Sequence, residues 1–318
     1  MNAADPGVAS TSTVSVAGRV AVVTGAGRGL GKAYAELLAE RGAKVVVNDI
    51  GGDALASGAD PAVAESAVRG ITERGGQAVA DIHDVSVPES GRQIVELAMD
   101  TFGGIDIIVN NAGILANQPF EDATLADFEH FVRVHILGHV SLTQAAWPHM
   151  KAQKRGRVIM TESGSGFYGL AGQAAYSMAK GGIHGLMRTV ALEGKEHGIL
   201  VNAIAPGGFS RMHETAIDDA KMLEQTRALM PPELVAPAVV WLASDELKTS
   251  GEVYSVWAGR IAKIAIGTGA GLVDRSLTPE LIASGIGEVN STDGFYQPVD
   301  ALDSVTHWAH LVAPTAQS

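Results

Sequence analysis

A tyrosine and a lysine four residues apart, Tyr176 and Lys180 in AAYSMAK, and an upstream serine, Ser163 in ESGSG, have the types and spacing that suit chemistry in this 318-residue chain. At the start of a helix, an i, i+4 pair emerges from one face. A cation beside a phenol favours phenolate, and each unit of pKa depression is worth about 1.4 kcal/mol toward a proton exchange usable near neutrality. Ser163 follows the β-branched run RVIMTE, and a hydroxyl on that loop can donate a hydrogen bond to a carbonyl oxygen as negative charge develops there. Taken singly, the three would read as a surface tyrosine, a helix-face lysine and a loop serine.

A second constellation lies near the N-terminus. TGAGRGLG, residues 24–31, follows the first β-branched run and opens an amphipathic one. In that context glycines let a backbone approach a pyrophosphate at a helix N-terminus. Gly25, Gly29 and Gly31 hold the pattern positions, with Arg28 and Leu30 between them. The second run ends in Asn48 and Asp49. An acidic side chain there accepts hydrogen bonds from both ribose hydroxyls and repels a 2′-phosphate, so Asp49 argues for NAD. Arg28 pulls the other way, because a guanidinium in the turn favours a phosphate; read as a solvated loop cation, it leaves NAD the expected cofactor.

These residues need a frame. From Arg19 short β-branched runs alternate with longer amphipathic segments: RVAVVT then 30–41, KVVVND then 62–74, QAVADI then 89–102, IDIIVNN then 125–151. The rhythm continues with RVIMTE, a helix over about 174–196, ILVNAIA, a polar Met-containing stretch, a helix near 233–243 and EVYSVW. Such alternation predicts an α/β fold, one doubly wound parallel sheet of the Rossmann kind, with ligands beyond the carboxyl ends of the strands near the switch point. Past about residue 260 the alternation fades, until a closing helix at 299–312. The expected organisation is a disordered N-terminus over 1–16, an NAD-binding domain over 17–260 and a C-terminal extension over 261–318, packed on the core.

Composition agrees. The chain is 46% hydrophobic with 38 glycines and only 5% aromatic residues, the aliphatic mixture of parallel strands covered on both faces. A formal net charge of −12 argues against nucleic acid or an anionic membrane as partner. With no cysteine, disulfides and Cys-ligated metals are excluded. No apolar run approaches the roughly 18 residues needed to span a bilayer, and the first sixteen residues lack a secretory pattern. A soluble, cytoplasmic protein without membrane insertion is expected.

Together these stretches resemble the short-chain dehydrogenase/reductase family, from about Arg19 to Gly259. The family's TGxxxGxG is TGAGRGLG, its NNAG is residues 110–113, its serine is Ser163, its YxxxK runs from Tyr176 to Lys180, and its PG turn is Pro206 and Gly207. The resemblance implies that Tyr176 is the general acid/base, that Ser163 steadies the substrate oxygen, and that Lys180 binds the nicotinamide ribose while tuning the tyrosine. It puts Asp84 and Val85 of HDVS by the adenine, and Asn111, Ala112 and Gly113 in the cofactor-side loop after the fourth strand. Ser165, Tyr168 and Ser177 then shape the pocket or face elsewhere. Many members carry Asn in a water-linked proton path to the lysine where this chain has His135 in RVHILGH. An imidazole can also relay a proton; a buried structural histidine is the other reading. His135 and His139 have a spacing that can hold a metal, but no third ligand is evident and none is expected.

Within the family, VVVNDIGGD, RVHILGH, AAWPHMK and PPELVAPAVVWLASDE are similar to the (3R)-hydroxyacyl-CoA dehydrogenase branch of peroxisomal β-oxidation and its free-standing actinobacterial relatives. That branch implies an acyl-CoA substrate, sterol side-chain thioesters included; a free steroid is the alternative, and a silent nucleotide-sensing scaffold is the reading of another class. Glu162 stands where the branch often has a small hydroxyl residue. Met212, Met222, Leu223, Leu229 and Met230 suit a lid over a bulky substrate. Arg211 and Lys263 are the candidates for CoA phosphates, whereas Lys151, Lys154, Arg155 and Arg157 read as surface at the far end of a strand. Gly181, Gly182 and Gly185 let the 174–196 helix approach another closely, and the family commonly pairs there, so a homodimer or homotetramer is expected.

Overall fold

The β-branched runs become seven strands: β1 (Val20–Thr24), β2 (Lys44–Asn48), β3 (Gln77–Asp81), β4 (Ile107–Asn110), β5 (Gly156–Thr161), β6 (Ile199–Gly207) and β7 (Val253–Trp257). In this computed structural model, which describes residues 14–208 and 219–312, they join an eighth strand, β8 (Arg260–Ile264), in one sheet of order β3-β2-β1-β4-β5-β6-β7-β8. Every pairing from β3 to β7 is parallel. The order reverses between β1 and β4, which makes that edge the switch point of a doubly wound α/β fold.

The connecting helices include α1 (Gly29–Glu40), α2 (Pro61–Glu73), α3 (Ser90–Phe102), α4 (Leu125–Phe131), α5 (Gly138–Ala152), α6 (Gly164–Tyr168), α7 (Ala174–Gly194), α8 (Ala220–Leu229) and α9 (Ala236–Ala243). Helix α1 packs on α2 and α9, and α3 packs on α5. Successive strand side chains point to opposite faces: Ala21, Val23, Val45, Val47, Ile107 and Val109 share a core cluster with α1, α2 and α9. The alternate positions Val22, Val46 and Ile108 are just as buried, which is why these strands read as unbroken apolar runs.

Three local features differ from the sequence reading. The apolar pattern over 125–151 predicts one helix, but α4 and α5 are separated by a π-helical turn, Val132–Leu137, a rare insertion associated with functional sites. The sheet does not end at β7. Ala258 and Gly259 have φ of 48° and 79°, the two positive values of a two-residue type I′ turn, which brings β8 back antiparallel. Its side chains are half-buried or exposed, so it carries no burial signal. Packing also begins before residue 17: Val16 is buried and its N–H donates to Arg41 O at 3.2 Å. Residues 1–13 of the expected disordered terminus lie outside the described residues.

Two compact units divide between Lys263 and Ile264. The second holds α10 (Pro279–Ser284), α11 (Ile286–Val289) and α12 (Ala301–Val312), the expected closing helix. There the Tyr296 ring stacks on His307 at 3.5 Å between centroids, and its hydroxyl donates to Asp303 at 2.7 Å. No described helix is long and apolar enough to cross a membrane.

Candidate active site

Parallel pairing aligns the carboxyl ends of β1, β2, β4 and β5: Thr24 stands opposite Asn48, and Asn110 opposite Met160. The residues that follow those ends are Gly25, Asp49, Asn111 and Glu162, so register alone gathers candidates far apart in sequence.

A cavity of about 220 Å³ lies over the first three. Gly25, Arg28, Gly29, Leu30 and Gly31 form one wall. Gly25 has φ of 62°, and a Cβ on Gly31 would stand 2.1 Å from Gly25 O, so both positions require glycine. Helix α1 starts at this turn with no side chain capping its first amides and no acidic residue in its first turn, whereas α2 is capped by Asp60. An N-terminus left open this way suits an anion. The Asn111 amide donates to Thr24 O and Gly25 O at 2.9 and 3.1 Å, and the N–H groups of Asn111 and Ala112 both donate to Thr24 Oγ1 at 3.0 Å. Gly113 continues this wall.

Asp49 faces the same cavity, as expected, but it is also part of the turn. Its Oδ2 accepts from Gly27 N–H and its Oδ1 from Gly51 N–H, each at 2.8 Å. Arg28 donates to Gly51 O at 2.9 Å, so it is engaged with backbone rather than freely solvated. Asp84 and Val85 line the far side; Asp84 Oδ1 accepts from Ser86 N–H at 2.8 Å. Sequence reasoning missed the loop after β2, whose Ile50, Gly52, Ala54 and Ala56 also line this space. Its only sequence signal is the small-residue run IGGDALASGAD.

A second cavity, about 310 Å³, shares Leu30, Asn111, Gly113, Ile114 and Leu115 with the first. Ser163, Tyr176, Lys180 and His135 all line it, with Pro206 and Gly207 from the end of β6. Ser163 caps α6, its Oγ accepting from Ser165 N–H at 3.2 Å. Ser165 in turn donates to Gln173 at 2.9 Å, and Gln173 donates to Asn117 at 2.8 Å. That brace gives Ser165 and the previously unnoticed Gln173 a place in the wall, while Tyr168 is exposed.

The electrostatics correct one expectation. Burial holds the Tyr176 hydroxyl above the ordinary tyrosine range, against the downward pull of its hydrogen bond with Ser163. Burial also lowers Lys180 to about 7, while the Glu162 carboxylate pulls it up. Desolvation therefore outweighs the cation's preference for phenolate. The Lys180 ammonium donates to Thr161 O at 2.7 Å and stands 5.7 Å from the centroid of the Tyr176 ring.

His135 comes inward from the π turn and is fully buried, its ring edge-on to Tyr176 at 5.6 Å and stacked on Phe131. Its Nε2 lies 3.2 Å from Ile114 N and 3.0 Å from Ile114 O. Burial, then the Lys180 charge, pushes its pKa well below the usual histidine range, so it is neutral. Nδ1 has no protein partner. His139 is buried too but does not line the cavity. Among the described residues, no group of three or more His, Cys, Asp and Glu side chains could hold a metal ion.

The substrate side is apolar: Leu115, Leu170 and Met230 line the second cavity. Of the other lid candidates, Met222 and Leu229 are exposed on α8, and Met212 and Arg211 lie outside the described residues. Lys263 belongs to β8, pairs with Glu252 at 2.7 Å and does not line the catalytic cavity, so proximity in sequence to the site misplaced it. Arg157, expected at the surface, is buried, donating to Ser244 O at 3.1 Å beside Asp245.

Residues 19–221 match the family model described as short chain dehydrogenase. This chain belongs to that family. Short-chain dehydrogenases are oxidoreductases that generally use NAD(P), and both the open helix N-terminus and the glycine turn fit a dinucleotide pyrophosphate. The chain is 45% identical over 269 residues to the peroxisomal multifunctional enzyme type 2 of Mus musculus, covering 83% of this chain but 36% of that protein. It is 38% identical over 277 residues to a short-chain type dehydrogenase/reductase of Mycobacterium tuberculosis, covering 87% of this chain and 95% of the relative. Among solved structures, a short chain dehydrogenase from Mycobacterium avium matches with a TM-score of 0.75 at 36% identity, over 87% of this chain and 97% of the other. The full-length peroxisomal multifunctional enzyme type 2 from Drosophila melanogaster matches with the same TM-score at 33% identity, over 95% of this chain and 51% of the other.

Proposed function

We propose that this short-chain dehydrogenase interconverts a (3R)-3-hydroxyacyl-CoA, with a sterol-derived acyl group among the candidates, and its 3-oxoacyl-CoA, using NAD. The observation that carries the reading is the pair of confluent cavities, one walled by the glycine turn and Asp49, the other by Ser163, Tyr176 and Lys180 beneath Leu170 and Met230. Bound across the first, NAD supplies the hydride acceptor for alcohol oxidation. Asp49 presents its carboxylate where a 2′-phosphate would be repelled.

Each residue of the second cavity has a separate task. Ser163 holds the substrate oxygen by a hydrogen bond that strengthens as charge develops on it. Tyr176 exchanges the proton of that oxygen. Because burial raises its pKa, the phenol keeps its proton near neutrality, the form that acts as the acid in ketone reduction. In oxidation it is the phenolate that takes the alcohol proton, with Lys180 beside it. His135, neutral and fixed on Ile114, orients the wall behind Tyr176; its unpartnered Nδ1 is the atom through which it would relay a proton.

The relatives named peroxisomal hydratase-dehydrogenase-epimerase, 40% and 42% identical to this chain, support a hydroxyacyl substrate over a free steroid. Turnover of a hydroxyacyl-CoA series and of free hydroxysteroids, each with NAD and NADP, tests both assignments. A much higher kcat/KM for the thioesters is expected, because remote CoA contacts help position the reacting carbon. Equal efficiency for free steroid and thioester would overturn the acyl-CoA reading.

A further inference from the structure

Glu162 has no role in the mechanism above, yet it is the most unusual ionisable residue near the site. It follows β5, its N–H donates to Ile204 O at 2.8 Å, and its side chain is 0% exposed. Neither carboxylate oxygen has a hydrogen-bond partner. A buried carboxylate without partners is costly unless a nearby cation or a proton compensates it, and here both are at hand. On one side Glu162 lines the cavity that holds Lys180 and Tyr176. On the other, its Oε1 lies 3.5 Å from His184 Nδ1, and that side chain is 24% exposed. Lys180 and His184 are i, i+4 on α7, so one helix face carries both the buried ammonium and the partly exposed imidazole.

The other titratable groups do not compete for it. His135 and His139 approach Lys180 from the π turn and α5, where burial and the Lys180 charge hold both neutral. Tyr176 is paired with Ser163.

We propose that Glu162 is the counter-charge and proton acceptor of Lys180, and that His184 connects it to solvent, forming a proton outlet from the catalytic cavity. The transfers balance at every step. Through water in the cavity they share, the Lys180 ammonium gives a proton to the Glu162 carboxylate, leaving a neutral amine and a carboxylic acid. The acid gives that proton to His184 Nδ1, and the imidazolium formed releases one to water. Reduction runs the same path inward. Burial raises the Glu162 pKa and lowers that of Lys180, which brings donor and acceptor closer in proton affinity. Glu162 is therefore a positioning residue that acts through Lys180. This deepens the proposed alcohol–ketone chemistry and rests on Tyr176 and Lys180 working as described.

The test separates the two. Lysine labelled with 13C at Cε, assigned with Lys180→Met, reports the Lys180 titration by NMR without substrate or cofactor. With the opposite charge removed, Glu162→Gln makes Lys180 lose its proton about one pH unit lower or more. Glu162→Ser, a small hydroxyl residue as the related branch often carries, is the second variant should the glutamine protein fold poorly. An unchanged Lys180 titration in the folded variant overturns the counter-charge, whatever the substrate proves to be. In turnover, His184→Phe lowers kcat several-fold in dilute buffer, and added imidazole restores it. A wild-type kcat, or a deficit that imidazole leaves untouched, overturns the outlet. Failure to turn over any hydroxyacyl-CoA refutes the functional reading alone, since the Lys180 titration still decides the role of Glu162.

Discussion

Replacing Asp49 separates two jobs that one carboxylate performs. Its two oxygens accept from Gly27 N–H and Gly51 N–H at 2.8 Å each, clamping the glycine turn to the loop after β2. Hydrogen bonds to a charged acceptor are worth about 1.5–3 kcal/mol apiece. The site is only half-buried, so the lower part of that range applies, and Asp49→Ala should cost about 3–4 kcal/mol, or roughly 6–12 °C in Tm for a chain of this size. Asp49→Asn keeps one acceptor oxygen and turns an NH2 group toward the other amide, so its loss is about half as large. Cofactor choice should follow another rule. Repulsion of a 2′-phosphate depends on charge alone, so both variants should narrow the NAD preference by the same factor, on the order of tenfold for about 1.4 kcal/mol. Thermal melts and kcat/KM ratios with NAD and NADP measure the two effects separately. An asparagine variant that keeps the full NAD preference would refute the charge argument; an alanine variant as stable as wild type would refute the clamp. A wild-type preference for NADP would mean that Arg28 sets the selectivity.

Tyr176→Phe should leave cofactor binding nearly intact, by fluorescence titration, while lowering turnover about 10² to 10⁴-fold; activity within a few-fold of wild type would remove the tyrosine from the chemistry. Because burial raises the Tyr176 pKa, the oxidation rate should climb with pH through the alkaline range as phenolate forms, and a flat profile there would contradict that. Burial lowers Lys180 to about 7, so between that pH and the unfolded lysine value near 10.4 the unfolded chain binds the extra proton. The destabilising contribution is then full below pH 7 and fades as pH rises. The wild-type urea midpoint should accordingly rise with pH between about 7 and 10 more steeply than that of Lys180→Met; parallel profiles would refute the burial cost. For assembly, α7 presents Gly185, whose added Cβ would meet open space, beside exposed Met178 and Leu192. A homodimer or homotetramer by light scattering is expected, and a monomer across micromolar concentrations would count against it.

How much of this was legible in the sequence depends on how far apart the cooperating atoms lie along the chain. The seven parallel strands were legible because burial on both faces leaves continuous apolar runs. Strand β8 was not, since an edge strand with half-exposed residues has no pattern to show. The Tyr176 and Lys180 pair was legible from one helical turn, and Ser163 from its place after a strand. The π turn was hidden, because its apolar spacing matches an α-helix until hydrogen bonding is seen, and it is this turn that carries His135 inward.

Charge was the least legible property. From spacing alone, Lys180 should depress the Tyr176 pKa, but spacing says nothing of solvent, and desolvation moves both groups the other way. Asp49 read as a ligand-facing carboxylate, yet its clamp on Gly27 and Gly51 appears only when two loops meet. Glu162 and His184 carry this furthest. One follows a strand and the other sits in the third turn of the helix two elements later, and nothing local couples them. The register of β5 against β6 and the rotation of α7 bring them to 3.5 Å. Any proton path through that pair is therefore a property of tertiary packing, which is why substitutions at either residue should change the pH behaviour of Lys180 while leaving the glycine turn and the Ser163 brace untouched.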